Sequence, residues 1–84
     1  MGRLGGDAEP GAVAMLFARW EEIAGPGMAE HVRPVRLAKG ALVVAADQPA
    51  WATKARLSGT HLLDRVGQLS GQRPDRLDVV VRAP

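Results

Sequence analysis

The side chains of this sequence that could act as nucleophiles, bases or metal ligands are few and widely spaced. His31 and His61 stand thirty positions apart, which is not a metal-ligand spacing, and the chain has no cysteine. Ser58 and Ser70 are not accompanied by a Ser-His-Asp pattern. We therefore expect capping or surface roles for both histidines, and neither a metal, a cofactor nor a catalytic residue.

The acidic pair and the glycines offer no other catalytic site. Glu21 and Glu22 are adjacent, so on a helix they point to different parts of the surface and do not form an acid–base pair. Neither GxGxxG nor GxxxxGK followed by Ser or Thr occurs, so no phosphate-binding loop is expected. The sequence predicts a protein that is not an enzyme and has no small-molecule substrate.

Basic residues are the more informative group. The formal net charge is +2 and the pI is about 9.9, which is a weak sign of nucleic-acid contact. A groove lined by bases could follow a phosphate backbone, with an aromatic ring to stack on a base. Because aromatic residues are scarce, residue type alone favours the alternative of a solvated charged rim. The candidates for nucleic-acid contact are Arg33, Arg36, Lys39, Lys54 and Arg56.

Trp51 admits two interpretations. In the first turn of a helix it can close the core at the sheet edge, or it can present its ring to a partner. Buried or half-buried packing is favoured, because so short a chain needs its large side chains in the core. We also expect a partner contact formed by Trp51, Lys54 and Arg56, since an aromatic residue flanked by bases is typical of interface centres.

The hydrophobic pattern predicts the elements that position these residues. Apolar residues at steps of three and four predict one helix over 12–24, ended by Gly25 and Pro26. Pro34 favours an edge strand over 32–39, because proline has no N–H to donate. The next segment, 41–46, is apolar at every position, which predicts a central strand covered on both sides. The buried face of the first helix is expected to carry Val13, Leu16, Phe17, Trp20 and Ile23.

The second half of the chain predicts a helical crossover and a last strand. Asp47 is the expected N-cap of a helix from Pro49 to about 70, broken at Ser58-Gly59 because glycine costs about 1 kcal/mol inside a helix. The last strand, 77–82, is expected to lie parallel to the second. The fold class is then α+β, with order α-β-β-α-β, a three-stranded mixed sheet and the helices on one face. Residues 1–10 are expected to form a flexible leader, and 11–84 a single domain.

Four motifs together resemble the DciA family of bacterial replicative-helicase loaders. Each motif alone is weak, but they occur in the right order with the right gaps over about residues 13–82, so the set is specific. The motifs are Trp20-Glu-Glu-Ile-Ala-Gly-Pro, His31-Val-Arg-Pro, Gly40-Ala-Leu-Val-Val and Pro49-Ala-Trp-Ala-Thr.

The resemblance implies both a fold and a function. The fold is similar to the type II K-homology (KH) domain, α-β-β-α-α-β, which agrees with the break at Ser58-Gly59. The function is that of a replication-initiation adaptor, which binds the hexameric replicative helicase, promotes its loading on single-stranded DNA, and binds DNA weakly itself. Such a protein is cytoplasmic and nucleoid-associated. The alternative is a KH-like protein that binds single-stranded nucleic acid without a helicase partner.

Two departures from the resembled families bear on function. The KH loop GxxG is replaced between the two helices by Leu57-Ser58-Gly59-Thr60, so a backbone clamp on four nucleotides is not expected. DciA members commonly carry a long basic or disordered extension, and this chain has almost none; it is either a fragment or a short member with reduced DNA affinity. No membrane association is expected, because the longest apolar run, 41–46, is far below the roughly 20 residues that span a bilayer.

Overall fold

The computed structural model describes the backbone of residues 10–82 and their side chains apart from 10–13 and 38. The expected α+β class and the KH-like order α-β-β-α(α)-β are confirmed. The expected leader lies outside the described residues except for Pro10. The elements are α1 (Pro10–Ala18), α2 (Trp20–Ala24), α3 (Pro26–His31), β1 (Val32–Ala38), β2 (Ala41–Ala46), α4 (Pro49–Leu57), α5 (Gly59–Ser70) and β3 (Arg76–Val81).

The three strands form one mixed sheet with β2 in the centre, as expected. β1 and β2 are antiparallel, and their register shifts between Pro34 and Arg36. β2 and β3 are parallel and pair without a shift. The β1–β2 turn needs Gly40, because its φ is +79° and a methyl group there would lie 2.7 Å from Asp75 Oδ2.

The core lies on one face of the sheet. Successive strand residues point to opposite faces, and in β2 the side chains of Leu42, Val44 and Ala46 are at most 1% exposed beneath the helices. Val43 and Ala45 point the other way and are only half-buried. The expected cover on both sides is therefore wrong within the described residues. The neighbouring strands β1 and β3 shield these two side chains, which explains an unbroken apolar run without a second layer.

The first helix differs from the continuous helix expected over 12–24. It breaks at Arg19, whose backbone (φ −115°, ψ 22°) is not helical, into α1 and α2. Leu16, Trp20 and Ile23 are buried as expected, but Phe17 is 53% exposed, so its assignment to the core is wrong. The expected apolar stripe of one continuous helix is therefore interrupted at Arg19. Val13 lies among the residues whose side chains are not described.

Phe17 belongs instead to a surface depression next to the first strand. With Trp20, Arg33 and Pro34 it lines an open cavity of about 300 Å³. Trp20 is itself anchored here, because its indole Nε1 donates a hydrogen bond to the carbonyl oxygen of Val32 at 2.7 Å. This buried bond ties α2 to the start of β1.

The crossover between β2 and β3 contains the expected break. α4 ends at Leu57 and α5 begins at Gly59, with Ser58 between them. Asp47 is not the N-cap of α4; Gln48 holds that position without a side-chain bond. The carboxylate of Asp47 instead contacts the imidazole of His31. In the described part of the chain, no helix combines the length and the apolar character that crossing a membrane requires.

Gly67→Ala is expected to destabilise the fold although it lies within helix α5. Alanine would ordinarily stabilise a helix by about 1 kcal/mol relative to glycine. Here a methyl group would lie 2.8 Å from Cβ and 3.1 Å from Cα of Arg73. Overpacking of this kind costs about 1–3 kcal/mol, so we expect a net loss in the free energy of unfolding. Chemical denaturation measures it.

The matched control is Gly27→Ala in α3, where nothing lies within 4 Å of the added methyl group. We expect this variant to be neutral or slightly stabilised. Equal behaviour of the two variants would show that Arg73 does not pack against Gly67.

Candidate functional site

The side chains of His31, Asp47 and Lys54 lie around Trp51, and these four residues are called here the Trp51 cluster. The imidazole of His31 stacks on the Trp51 ring, with centroids 4.5 Å apart and planes 9° from parallel. His31 Nδ1 lies 3.0 Å from Asp47 Oδ2. Lys54 Nζ lies 5.3 Å from the centroid of the Trp51 ring, within the range of a cation–π interaction.

The hairpin and α4 bring these residues together. His31 immediately precedes β1 and Asp47 immediately follows β2, so the pairing of Val32 with Ala46 places them side by side. The backbone N–H of Asp47 also donates to the carbonyl oxygen of His31 at 2.9 Å. α4 begins two residues later and returns Trp51 onto the imidazole. The site is therefore held by the open end of a hairpin and the first turn of a helix.

The Trp51 cluster is half-buried. Trp51 packs against the core, as favoured above. The side chains of His31 and Asp47 are 34% and 28% exposed. Asp47 Oδ1 is buried and has no hydrogen-bond partner in the described part of the chain, so the bond from His31 is the side-chain contact that holds this carboxylate. The result is a flat, fixed aromatic pair with an exposed lysine beside it, which suits contact with a protein surface.

The expected partner contact comprised Trp51, Lys54 and Arg56, but α4 does not place all three on one side. Lys54 lies three residues after Trp51, on the same side of α4. Arg56 lies two residues further, and such residues do not face each other. Its Nη2 instead lies 3.5 Å from the carbonyl oxygen of Val79 on β3. Arg56 is therefore a neighbour of the sheet edge rather than a member of the Trp51 cluster.

The basic residues of the hairpin lie elsewhere again. Arg33 pairs with Ala45 and Arg36 with Val43. Directly paired residues point to the same face of a sheet, so both arginines lie on the face opposite the helices, called here the open face. The register shift between Pro34 and Arg36 is what allows two residues three positions apart to share this face. Lys39 lies in the turn that follows, with φ of +54°. Arg33 and Arg36 therefore share a face of the sheet on which the bases of α4 do not lie.

Sequence reasoning missed the pairing of His31 with Asp47. It gave the histidine a capping or surface role and the aspartate an N-cap role. The signal was present, because the two residues flank the strands at the open end of the hairpin. Once Val32 is paired with Ala46, the preceding and following residues must be neighbours. The stacking of His31 on Trp51 depends on where α4 packs, which no local pattern gives.

Comparison with known proteins gives the family. The family described as "Dna[CI] antecedent, DciA" matches residues 2–79. UPF0232 proteins of Mycobacterium tuberculosis, Mycobacterium leprae and Mycolicibacterium smegmatis are 37%, 35% and 33% identical to this chain over 60 residues, or 71% of its length. The chain spans about a third of the length of these relatives. Because the match covers most of the sequence, this chain belongs to the DciA family.

Proposed function

We propose that this chain is a replication-initiation adaptor that binds the hexameric replicative helicase and promotes its loading on single-stranded DNA. Membership of the DciA family over residues 2–79 is the observation that carries the proposal. It supports a role in DNA replication. The adaptor acts by binding rather than by catalysis, in the cytoplasm and in association with the nucleoid.

The Trp51 cluster is the surface that we assign to the helicase. Interface centres are enriched in aromatic residues that are rigid before binding, because little side-chain entropy is then lost. Trp51 meets this condition, since its ring is stacked on His31. Lys54 is exposed and adds a positive charge beside the ring. The complementary helicase surface is therefore expected to combine an apolar patch with acidic side chains.

Lys54→Glu is expected to weaken helicase binding about tenfold or more, because it places a negative charge against that acidic surface. Arg56→Glu is the matched control, since it makes the same change two residues away on another side of α4. The measurement is calorimetric titration of the helicase from the same cell, with thermal melting of each variant. We expect both variants to melt like the parent.

The outcomes distinguish an error in the proposed contact surface from an error in the proposed function. Unchanged affinity in both variants would place the helicase contact elsewhere on the chain. Failure of the unmodified chain to bind or co-purify with the helicase would reject the adaptor function itself.

We further propose weak, sequence-independent binding of single-stranded DNA by Arg33, Arg36 and Lys39. The two arginines share the open face, where the half-buried Val43 and Ala45 lie between the flanking strands. Arginine contacts with phosphate need no particular base sequence. Lys39 extends this basic surface at the turn. The bases Lys54 and Arg56, on α4, are a separate and secondary contribution.

Reversing the charges of Arg36 and Lys39 together is expected to weaken single-strand binding more than reversing Arg19. Each lost phosphate contact lowers the salt slope by about 0.7 on single strands. Arg19 is already paired with Glu22 at 2.8 Å, and this guanidinium lowers the pKa of the Glu22 carboxyl. Fluorescence anisotropy over a salt series measures both changes. Equal losses of affinity would mean that net charge alone governs DNA binding and that the hairpin does not form the contact surface.

The open face also supports the second candidate, a KH-like protein that binds single-stranded nucleic acid without a helicase partner. Its arginines would serve that function equally well. Co-purification decides between the two, because the adaptor retains the helicase when nucleic acid has been digested by nuclease. A chain that binds single strands but never retains the helicase is the second candidate.

A further inference from the structure

The two edges of the sheet are built differently. On β1, Pro34 has no N–H, and the register with β2 shifts between Pro34 and Arg36. Proline and bulges are the devices that keep an edge strand from pairing with another chain. β3 pairs with β2 over 76–81 without a shift and contains no proline. Its outer side carries no further strand in the part of the chain that the structure describes. One edge is protected and the other is not.

The backbone groups of β3 that point outward can be assigned. The N–H of Arg76 donates to Gly40 and that of Arg82 donates to Ala46, at 3.2 and 2.8 Å. Alternate residues of a strand direct their N–H and C=O to opposite sides. Leu77, Val79 and Val81, at the odd-numbered positions, therefore direct both groups to the outer edge.

Arg56 lies over this edge but does not close it. Its guanidinium contacts the carbonyl oxygen of Val79 at 3.5 Å, a long bond from an exposed side chain. A backbone N–H from an incoming strand offers the same oxygen a shorter and straighter bond. An incoming strand would therefore displace the Arg56 side chain, and Arg56 does not prevent strand pairing at this edge.

We propose that β3 pairs antiparallel with β3 of a second copy of this chain, which joins the two sheets into one. Val80 of each copy lies on the two-fold axis. The outward groups of Val79 then meet those of Val81 in the second copy, on both sides of the axis. On the open face, Asp78 of each copy lies opposite Arg82 of the other. The strand that pairs with β3 is assigned to a second copy of this chain, because β3 is complementary to itself in both hydrogen bonding and charge.

Charge favours this register over those in which the two-fold axis moves toward Arg76. Sliding the strands to put Val79 on the axis places Arg76 opposite Arg82 and leaves Asp78 without a basic partner directly opposite. A further step places Asp78 opposite Asp78. Like charges directly opposite destabilise a strand pair. Asp78 is free to reach across, because its contact with Arg76 is 3.4 Å long and both side chains are about half exposed or more.

The dimer is expected to be weak. The contact uses about five residues of each strand, and its area falls below the roughly 1,200 Å² of a standard interface. Val81 is 47% exposed in the single copy and gains cover. We expect a dissociation constant on the order of 100 μM, which makes dimerisation dependent on local concentration.

Charge exchange tests the register. Asp78→Arg and Arg82→Asp, each alone, set like charges opposite each other twice and are expected to weaken dimerisation about tenfold. An equimolar mixture of these two variants restores both opposite-charge pairs, as does the double variant D78R/R82D. Both are expected to dimerise like the parent chain in sedimentation equilibrium. Failure of the mixture and of the double variant to recover would overturn the register.

A backbone variant tests the edge itself. Val81→Pro removes an N–H that points outward and leaves the bonds to β2 in place, so the chain is expected to fold and to remain a monomer. Val81→Thr keeps the N–H and a similar shape, and is expected to dimerise. A dimeric Val81→Pro variant, or a parent chain that stays monomeric at about 1 mM, overturns the proposal. None of these measurements involves helicase or DNA, so their failure leaves the adaptor function untouched.

Discussion

Replacement of Trp20 by alanine is expected to lower the free energy of unfolding by about 3–5 kcal/mol. Trp20 is 6% exposed and belongs to the core cluster. Its indole N–H also satisfies the buried carbonyl oxygen of Val32 at 2.7 Å. The variant therefore leaves a cavity and an unpaired acceptor together. Because a domain of this size has about 5–15 kcal/mol in total, chemical denaturation should show a large loss of stability or no folded state.

Two companion variants separate the contributions. Trp20→Phe keeps most of the apolar volume but loses the N–H, so it should cost about 1–3 kcal/mol for the unpaired carbonyl. Phe17→Ala should cost less than about 1 kcal/mol, because its side chain is 53% exposed. A loss from Phe17→Ala as large as that from Trp20→Ala would mean that Phe17 is buried, contrary to its exposed position on α1.

Elements with strong local signals were predicted from the sequence. β2 was expected over 41–46 and is found there, because an unbroken apolar run between a Lys-Gly turn and a Pro-containing helix start leaves little freedom. The break of the crossover helix was marked by Gly59. The mixed sheet order followed from short connections and the right-handed crossover rule. In each case the local preference and the final packing agree.

The first helix shows a feature that local sequence signals do not predict. No glycine or proline marks Arg19, and the spacing of apolar residues continues through it. The break immediately precedes Trp20, whose indole N–H is bonded to the carbonyl oxygen of Val32 twelve residues later. Phe17 was assigned to the core by a periodicity that assumes one straight axis. A contact between residues twelve positions apart is not visible in a pattern of steps of three and four.

The candidate site was predicted only in part. Trp51 and Lys54 were identified by type and spacing, and the structure places them together. Arg56 was grouped with them by nearness in sequence, although a helix separates residues two positions apart. His31 and Asp47 were missed, because their roles arise from the hairpin register and from the packing of α4. Spacing along one helix is a local property, whereas these contacts join three elements.

Val44→Ala is expected to destabilise the fold by about 2–4 kcal/mol, and Val43→Ala by less than about 1 kcal/mol. The two residues are neighbours of the same type on the central strand. Val44 is fully buried beneath the helices, whereas Val43 is half-buried on the open face between Arg36 and Asp78. The same two-methyl deletion therefore leaves a cavity at one position and little change at the other. Denaturant titration of both variants measures the difference.

This pair of variants also bears on DNA binding. The proposed contact with single strands needs Arg33 and Arg36 to be reachable, and so it needs an open face without a second layer. Similar losses of unfolding free energy from Val43→Ala and Val44→Ala would mean that both faces of the sheet are covered in solution. A covered open face would leave Arg33 and Arg36 less accessible to DNA and would contradict the DNA proposal. A large difference between the two variants would leave the open face free. Weaker DNA binding by Val43→Glu, with an unchanged melt, would then place the nucleic acid on that face.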